Sequence, residues 1–167
     1  RVLRAAQIAL EEGICEPVLI GRPDVVEARL ERYGLKIRPG TDFELVNPQQ
    51  DERYRDYVDL LVERTGRKGV TPEAARNIVR SNTTVIGALA LERGEADAML
   101  CGLDGRFMRH LQYVQMIIGK APGAHELSGL SMLINQQGVW FLTDTYVTDH
   151  PTAEEIAEMT MLAAQEI

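Results

Sequence analysis

Apolar positions along the chain switch repeatedly between a helical spacing and short unbroken runs, and these switches divide the sequence into elements. Val2, Ala6 and Ala9 share one helical stripe that stops at Gly13, and Pro17-Val18-Leu19-Ile20-Gly21 follows as a short buried strand. Pro23 opens a second helix, with Val26, Leu30 and Tyr33 on one side and Gly34 at its end. Residues 43–47 read as a second strand closed by Asn47-Pro48, and Asp51 opens a third helix packed through Tyr54, Tyr57, Val58 and Leu61. Thr71-Pro72-Glu73 supplies an N-cap, a proline at the first helical position and an acid in the first turn, which predicts a helix to about Arg80. A further helix, carrying Val85, Ile86, Leu89 and Ala90, runs from about Thr84 to Gly94. Ala98, Met99, Leu100 and Cys101 then predict a strand buried on both faces. From Arg106 a helix resumes, with Phe107, Leu111, Val114 and Ile118 as its packing stripe and Arg106, Arg109, His110 and Tyr113 on the other side.

Past Gly123 the character changes. Residues 126–134 and 138–147 are two extended runs joined by Asn135-Gln136-Gln137, which predicts a hairpin. Pro151 and Thr152 start a last helix, Glu155 stands at capping-box spacing from Thr152, and Ile156, Met159, Ala163 and Ile167 form its packing stripe. The expected class is α/β: a three-layer α/β/α lobe with a mostly parallel sheet over residues 1–122, then the start of a second, smaller α/β lobe over 123–167. Arg1 and Ile167 both lie inside helical patterns, so the second lobe is expected to be truncated and the chain to be a piece of a longer protein.

The chain is 45% hydrophobic and 26% charged, enough to bury a real core. A formal charge of −7 and a pI near 5.0 argue against nucleic acid as a partner. No apolar run approaches the roughly 20 residues that span a bilayer, so no membrane partner is expected and the cytoplasm is the expected location. Cys15 and Cys101 each neighbour a strand, which makes two small buried hydrophobes the expectation. His110, His125 and His150 have no metal-ligand spacing, so no metal is expected in the chain.

Candidate chemistry concentrates at Gly102-Leu103-Asp104-Gly105, a glycine-bounded turn from the expected strand into a helix amino terminus. In a parallel α/β sheet such a turn meets ligands, because loose N–H groups and the helix dipole attract anions, and Arg106 and Arg109 add two cations. Arg64-Thr65-Gly66-Arg67-Lys68-Gly69 is the densest basic cluster; it is either a solvated loop or a second anion clamp through Arg64 and Lys68. Asp104 and Asp144 could serve as a base, although aspartate before a turn is more often a turn-former. The turn lacks the spacing of a dinucleotide loop. The apolar hairpin, and a last helix bearing both Met159 and Met161, predict self-association about a two-fold axis.

Gly94-Glu95-Ala96-Asp97-Ala98, Cys101-Gly102, Arg109 leading a helix that ends Ile117-Ile118-Gly119, Asp144, and Pro151-Thr152-Ala153-Glu154 resemble the phosphate acetyltransferase family across essentially the whole chain. More narrowly, Arg67-Lys68-Gly69-Val70-Thr71-Pro72, Arg109-His110-Leu111 and Asp144-Thr145 resemble the phosphotransacetylase-like carboxyl-terminal domain of bacterial NADP-dependent malic enzymes. The resemblance implies a two-lobed α/β domain that binds acetyl-CoA and regulates an attached malic enzyme, which would oxidatively decarboxylate malate to pyruvate. NADP and Mg or Mn would then belong to the other half of that protein. It also implies that Arg109 contacts a phosphate of the ligand and that Arg64 and Lys68 fall near a second family arginine; taken with the 102–105 turn, the expected acetyl-CoA or phosphate site is Gly102, Asp104, Gly105, Arg106 and Arg109, with Arg64 and Lys68. The loop between Gly102 and Arg109 is shorter than in the acetyltransferases, and Thr148-Asp149-His150-Pro151 stands where they usually carry Asn-Pro. These departures imply a domain without catalytic residues of its own; the alternative is part of an active phosphate acetyltransferase.

Overall fold

A computed structural model describes residues 1–167 as two compact units, Arg1–Ile118 and Gly119–Ile167. In the first unit α1 (Val2–Glu11), β1 (Val18–Ile20), α2 (Pro23–Arg32), β2 (Glu44–Val46) and α3 (Tyr54–Thr65) are followed by a 3-10 turn at Gly66–Lys68. Three further helices complete it: α4 (Pro72–Ser81), α5 (Thr83–Glu92) and α6 (Phe107–Ile117). β1 and β2 pair in parallel, Val18 with Glu44, Leu19 with Leu45 and Ile20 with Val46.

Alternation along these two strands produces the layers. Leu19 and Leu45 point to a core made with Ala6, Leu30, Ile37 and Phe43, whereas Ile20 and Val46 point to a larger core formed by α3, α4, α5 and α6. Helices therefore cover both faces of the parallel pair, the α/β/α arrangement expected. Within the larger core α5 is buried through Thr84, Val85, Ile86, Gly87, Ala88 and Leu89, nearly all round, as a central helix must be. The cap foreseen at Thr71 accepts from the Ala74 N–H, and Asn82, not foreseen as a cap, accepts from the N–H groups of Thr84 and Val85.

Four expectations are corrected. Residues 98–101 form no strand, because β1 pairs only with β2 and nothing supplies a ladder to this run. Met99 alone tucks in, close against Gly87 and Ile20, while Leu100 is fully exposed at 101%. Both cysteines are exposed, Cys15 in the loop after α1 and Cys101 at the end of this unladdered run. The packed face of α6 is also broader than expected: Tyr113, Met116 and Ile117 join Ile118 on the core and His110 turns inward, while Phe107 is exposed and Arg106 and Arg109 face outward as expected. The apolar count missed part of this face because a tyrosine and a histidine can be packed through their rings with the polar tip bonded.

In the second unit β3 (Leu130–Asn135) and β4 (Gly138–Thr143) form the expected antiparallel hairpin, with Met132 opposite Phe141, Leu133 opposite Trp140 and Ile134 opposite Val139. Both faces are thus apolar, and every one of these six side chains is exposed. α7 (Ala153–Glu166) opens on the expected capping box: Thr152 N–H donates to Glu155 Oε2 at 2.6 Å, and Glu155 N–H to Thr152 Oγ1 at 3.2 Å. Only Met159 and Ala163 of its expected stripe are buried, since Ile156 and Ile167 face outward. The fourth correction is therefore to the width of that stripe.

Candidate functional site

The chain approaches the 102–105 turn under control. Glu95, just past α5, accepts from Tyr57 Oη at 2.6 Å and from Arg93 Nε at 2.5 Å, and Arg53 reaches the same carboxylate while also bonding Asp51 and Glu44. Burial disfavours the Glu95 charge, but the Tyr57 hydroxyl and the two arginines outweigh it and hold its carboxyl below the usual range. Met99 then seats against Gly87, where an added Cβ would lie 2.7 Å from its sulfur. Segment 96–101 is fixed by these two contacts rather than by a sheet.

The turn itself carries two left-handed glycines, Gly102 at φ 100° and Gly105 at φ 93°. Asp104 Oδ1 accepts from the Gly105 N–H at 3.0 Å, so its carboxylate shapes the turn and does not stand free as a base. His110 bridges the turn to α5: Nε2 lies 2.7 Å from the Asp104 carbonyl oxygen and Nδ1 2.7 Å from Thr84 Oγ1. Arg106 is the N-cap of α6 and Arg109 lies in its first turn; both are exposed and neither is engaged by a carboxylate of the chain. Backbone N–H groups at a helix start and two uncommitted guanidinium groups make a surface suited to phosphate.

The second candidate cluster is different. Arg64 is ion-paired with Glu92 on α5, beside a shallow groove lined also by Asp56, Asp59, Glu63 and Arg93, so its surroundings are acidic. Lys68 is exposed in the 3-10 turn, and no hydrogen bond or ion pair links either residue to the 102–109 segment. Cys101 is no activated nucleophile, since shielding of its sulfur pushes the thiol up. No group of three or more His, Cys, Asp or Glu is arranged to hold a metal ion. Asp144 accepts from the N–H groups of Gly129 and Val147 on Oδ1 and of Thr148 on Oδ2, at 3.1, 3.2 and 2.7 Å, and so organises the turn after β4.

His110 is the residue of the turn that sequence inspection passes over, having placed it on the outer face of α6. A signal was available: Thr84 is a hydroxyl at the head of an otherwise apolar helix and needs a partner.

With this geometry in place, the whole chain, residues 1–167, matches the phosphate acetyl/butaryl transferase family. The chain belongs to that family. It is 63% identical over all of its length to an NAD-dependent malic enzyme of Rhizobium meliloti (strain 1021) and 43% identical to an NADP-dependent malic enzyme of Escherichia coli (strain K12). It covers 22% of each of those proteins, about a fifth of their length. A solved EutD phosphotransacetylase from Staphylococcus aureus superposes with a TM-score of 0.87 at 23% identity, over 98% of this chain and 48% of that one, which establishes the shared fold. Its α/β architecture is therefore that of the phosphotransacetylases, and its relatives include malic enzymes that carry the same domain.

Proposed function

We propose that this chain is the acetyl-CoA-binding regulatory domain of a malic enzyme and that it does not itself transfer acetyl groups. The observation that carries this is the 102–105 turn: left-handed glycines lead into α6 beside Arg106 and Arg109, two exposed cations with no carboxylate partner, suited to the phosphates of an acyl-CoA. High similarity to malic enzymes over the whole chain supports the setting. The whole protein would oxidatively decarboxylate malate to pyruvate using a divalent metal, Mg or Mn, and NADP or NAD. The coenzyme is widened beyond NADP because the relative at 63% identity is an NAD-dependent enzyme. Gly102 and Gly105 would shape the site, Asp104 would fix the turn, and Arg106 and Arg109 would contact phosphate. Arg64 is dropped from the clamp because Glu92 already holds it, and Lys68 stays only as a peripheral cation.

The proposed inactivity rests on the short 102–109 loop, on the commitment of the Asp104 carboxylate to the turn and on a Cys101 thiol pushed up by the shielding of its sulfur. Regulation requires acetyl-CoA to prefer one state of the enzyme, and a coupling of about 1 to 3 kcal/mol changes affinity roughly five- to 150-fold. Arg109→Ala in the full-length protein is expected to weaken acetyl-CoA binding by about 1.5 to 3 kcal/mol and to abolish its effect on malate turnover, with unregulated turnover intact. Titration calorimetry and steady-state assays check this, and a mutant that responds like the wild type refutes it. A second reading, part of an active phosphate acetyltransferase, is favoured by the family match and predicts acetyl phosphate formation from acetyl-CoA and phosphate. We also place the protein in the cytoplasm as a two-fold homo-oligomer, supported by a hairpin bare on both faces. A monomer by light scattering at high concentration would remove the oligomer.

A further inference from the structure

Thr84 is one of two buried polar side chains in the chain, 4% exposed at the head of α5. Its backbone N–H is taken by Asn82, but that cap leaves the hydroxyl unpaired, and a buried hydroxyl without a partner is costly. The partner is His110 Nδ1, 2.7 Å away. On the other side of the ring Nε2 faces the Asp104 carbonyl oxygen, which can only accept. In the neutral ring Nε2 therefore carries the proton and Nδ1 accepts from the Thr84 hydroxyl, so both partners select one tautomer. Gly105 rests on the same ring edge: a Cβ there would stand 3.0 Å from Nε2, in a backbone conformation already at φ 93°. The buried end of α5 thus reaches, through one imidazole, the exposed carbonyl immediately before Gly105 and Arg106.

We infer that His110 is a positioning residue for acyl-CoA binding, holding the 102–105 turn in its ligand-receiving shape by bridging the Thr84 hydroxyl to the Asp104 carbonyl. The inference rests on the reading that this turn receives the ligand's phosphate. His110 does not touch the ligand; it fixes the N–H groups and the two arginines that do. Segment 96–101 has no ladder, so without this bridge nothing ties the turn to α5; what is left is the Asp104–Gly105 bond within the turn and the more distant Met99 and Glu95 contacts.

The test uses the full-length protein, with hydrogen–deuterium exchange over residues 102–106 and calorimetric titration with acetyl-CoA. His110→Leu is expected to speed exchange across the turn and to weaken acetyl-CoA roughly five- to tenfold, the loss of one ordinary hydrogen bond. His110→Gln, whose amide N–H can still reach the Asp104 carbonyl, restores most of both, which a purely space-filling role would not allow. Thr84→Val, nearly isosteric, gives a smaller change of the same sign and serves if His110→Leu does not fold. Unchanged exchange in both variants overturns the inference. Faster exchange with acetyl-CoA affinity untouched, while Arg109→Ala still loses it, also overturns the inference and leaves the site reading standing. If the wild type itself fails to bind acetyl-CoA, the site reading falls and the role of His110 falls with it.

Discussion

The first unit and the second are about equally apolar to the eye and are held together in opposite ways. In the first, Tyr57, Leu61, Val79, Val85, Ile86, Ala88, Leu89 and Ile117 vanish from solvent into one core. In the second, an equally apolar hairpin stays bare, and individual polar bonds do much of the holding: the Thr152–Glu155 box, Asp144 on three backbone N–H groups, and Glu158 on the His125 N–H at 2.6 Å. Apolar pattern records that a residue wants cover; it does not say that its own chain supplies it.

The strongest test of the contrast pairs two substitutions. Leu89→Ala, at a position 0% exposed, should cost about 2 to 5 kcal/mol in chemical denaturation, whereas Trp140→Ala should cost below about 1 kcal/mol. Equal costs would mean that the hairpin is covered in solution after all. Next in size, Thr152→Ala removes the side-chain half of the capping box, the acceptor of the Glu155 N–H, and should cost about 1 kcal/mol, seen as faster amide exchange along α7. No change there would mean that α7 is held by packing and would narrow the difference between the units.

The smallest effect is acid sensitivity in the second unit. Burial works against the Asp144 charge, but the N–H groups of Gly129, Thr148 and Val147 outweigh it and depress its carboxyl. A depressed folded-state value means that the stabilisation is present above the unfolded value of about 3.9 and is lost as pH falls through the lower folded value. Protection at Gly129, Val147 and Thr148, measured against the intrinsic exchange rate at each pH, should therefore fall as the pH drops below about 4, and Asp144→Asn should blunt that response. A wild type indifferent to acid over this range would assign those amides to some other support.

Most helices, the hairpin and the caps at Thr71 and Thr152 were readable from sequence because each depends on neighbours within a few residues, and the layers and the parallel pair followed from the alternation of helices and short apolar strands along the chain. The misses share a cause. The 98–101 run has the residues of a buried strand, but a strand exists only where another supplies its ladder, and that is not written in the run itself. Part of the inner face of α6 was missed because His110 and Tyr113 are inward for reasons held elsewhere, His110 in the unpaired hydroxyl of Thr84. Similarly, the separate fates of Arg64 and Arg109 depend on Glu92, which lies 28 residues from the first in the chain and pairs with it across the α3 and α5 helices. For the candidate site, the turn and its arginines were legible from glycine spacing, but the bridge that fixes it was not.

The chain contains a single tryptophan, Trp140, and it sits on the hairpin at 53% exposure, opposite Leu133. Its indole fluorescence therefore reports on the hairpin of the second unit. Emission excited selectively in tryptophan should be that of a half-wet indole and should shift to the blue whenever anything dries the hairpin, giving an optical readout of cover without any label.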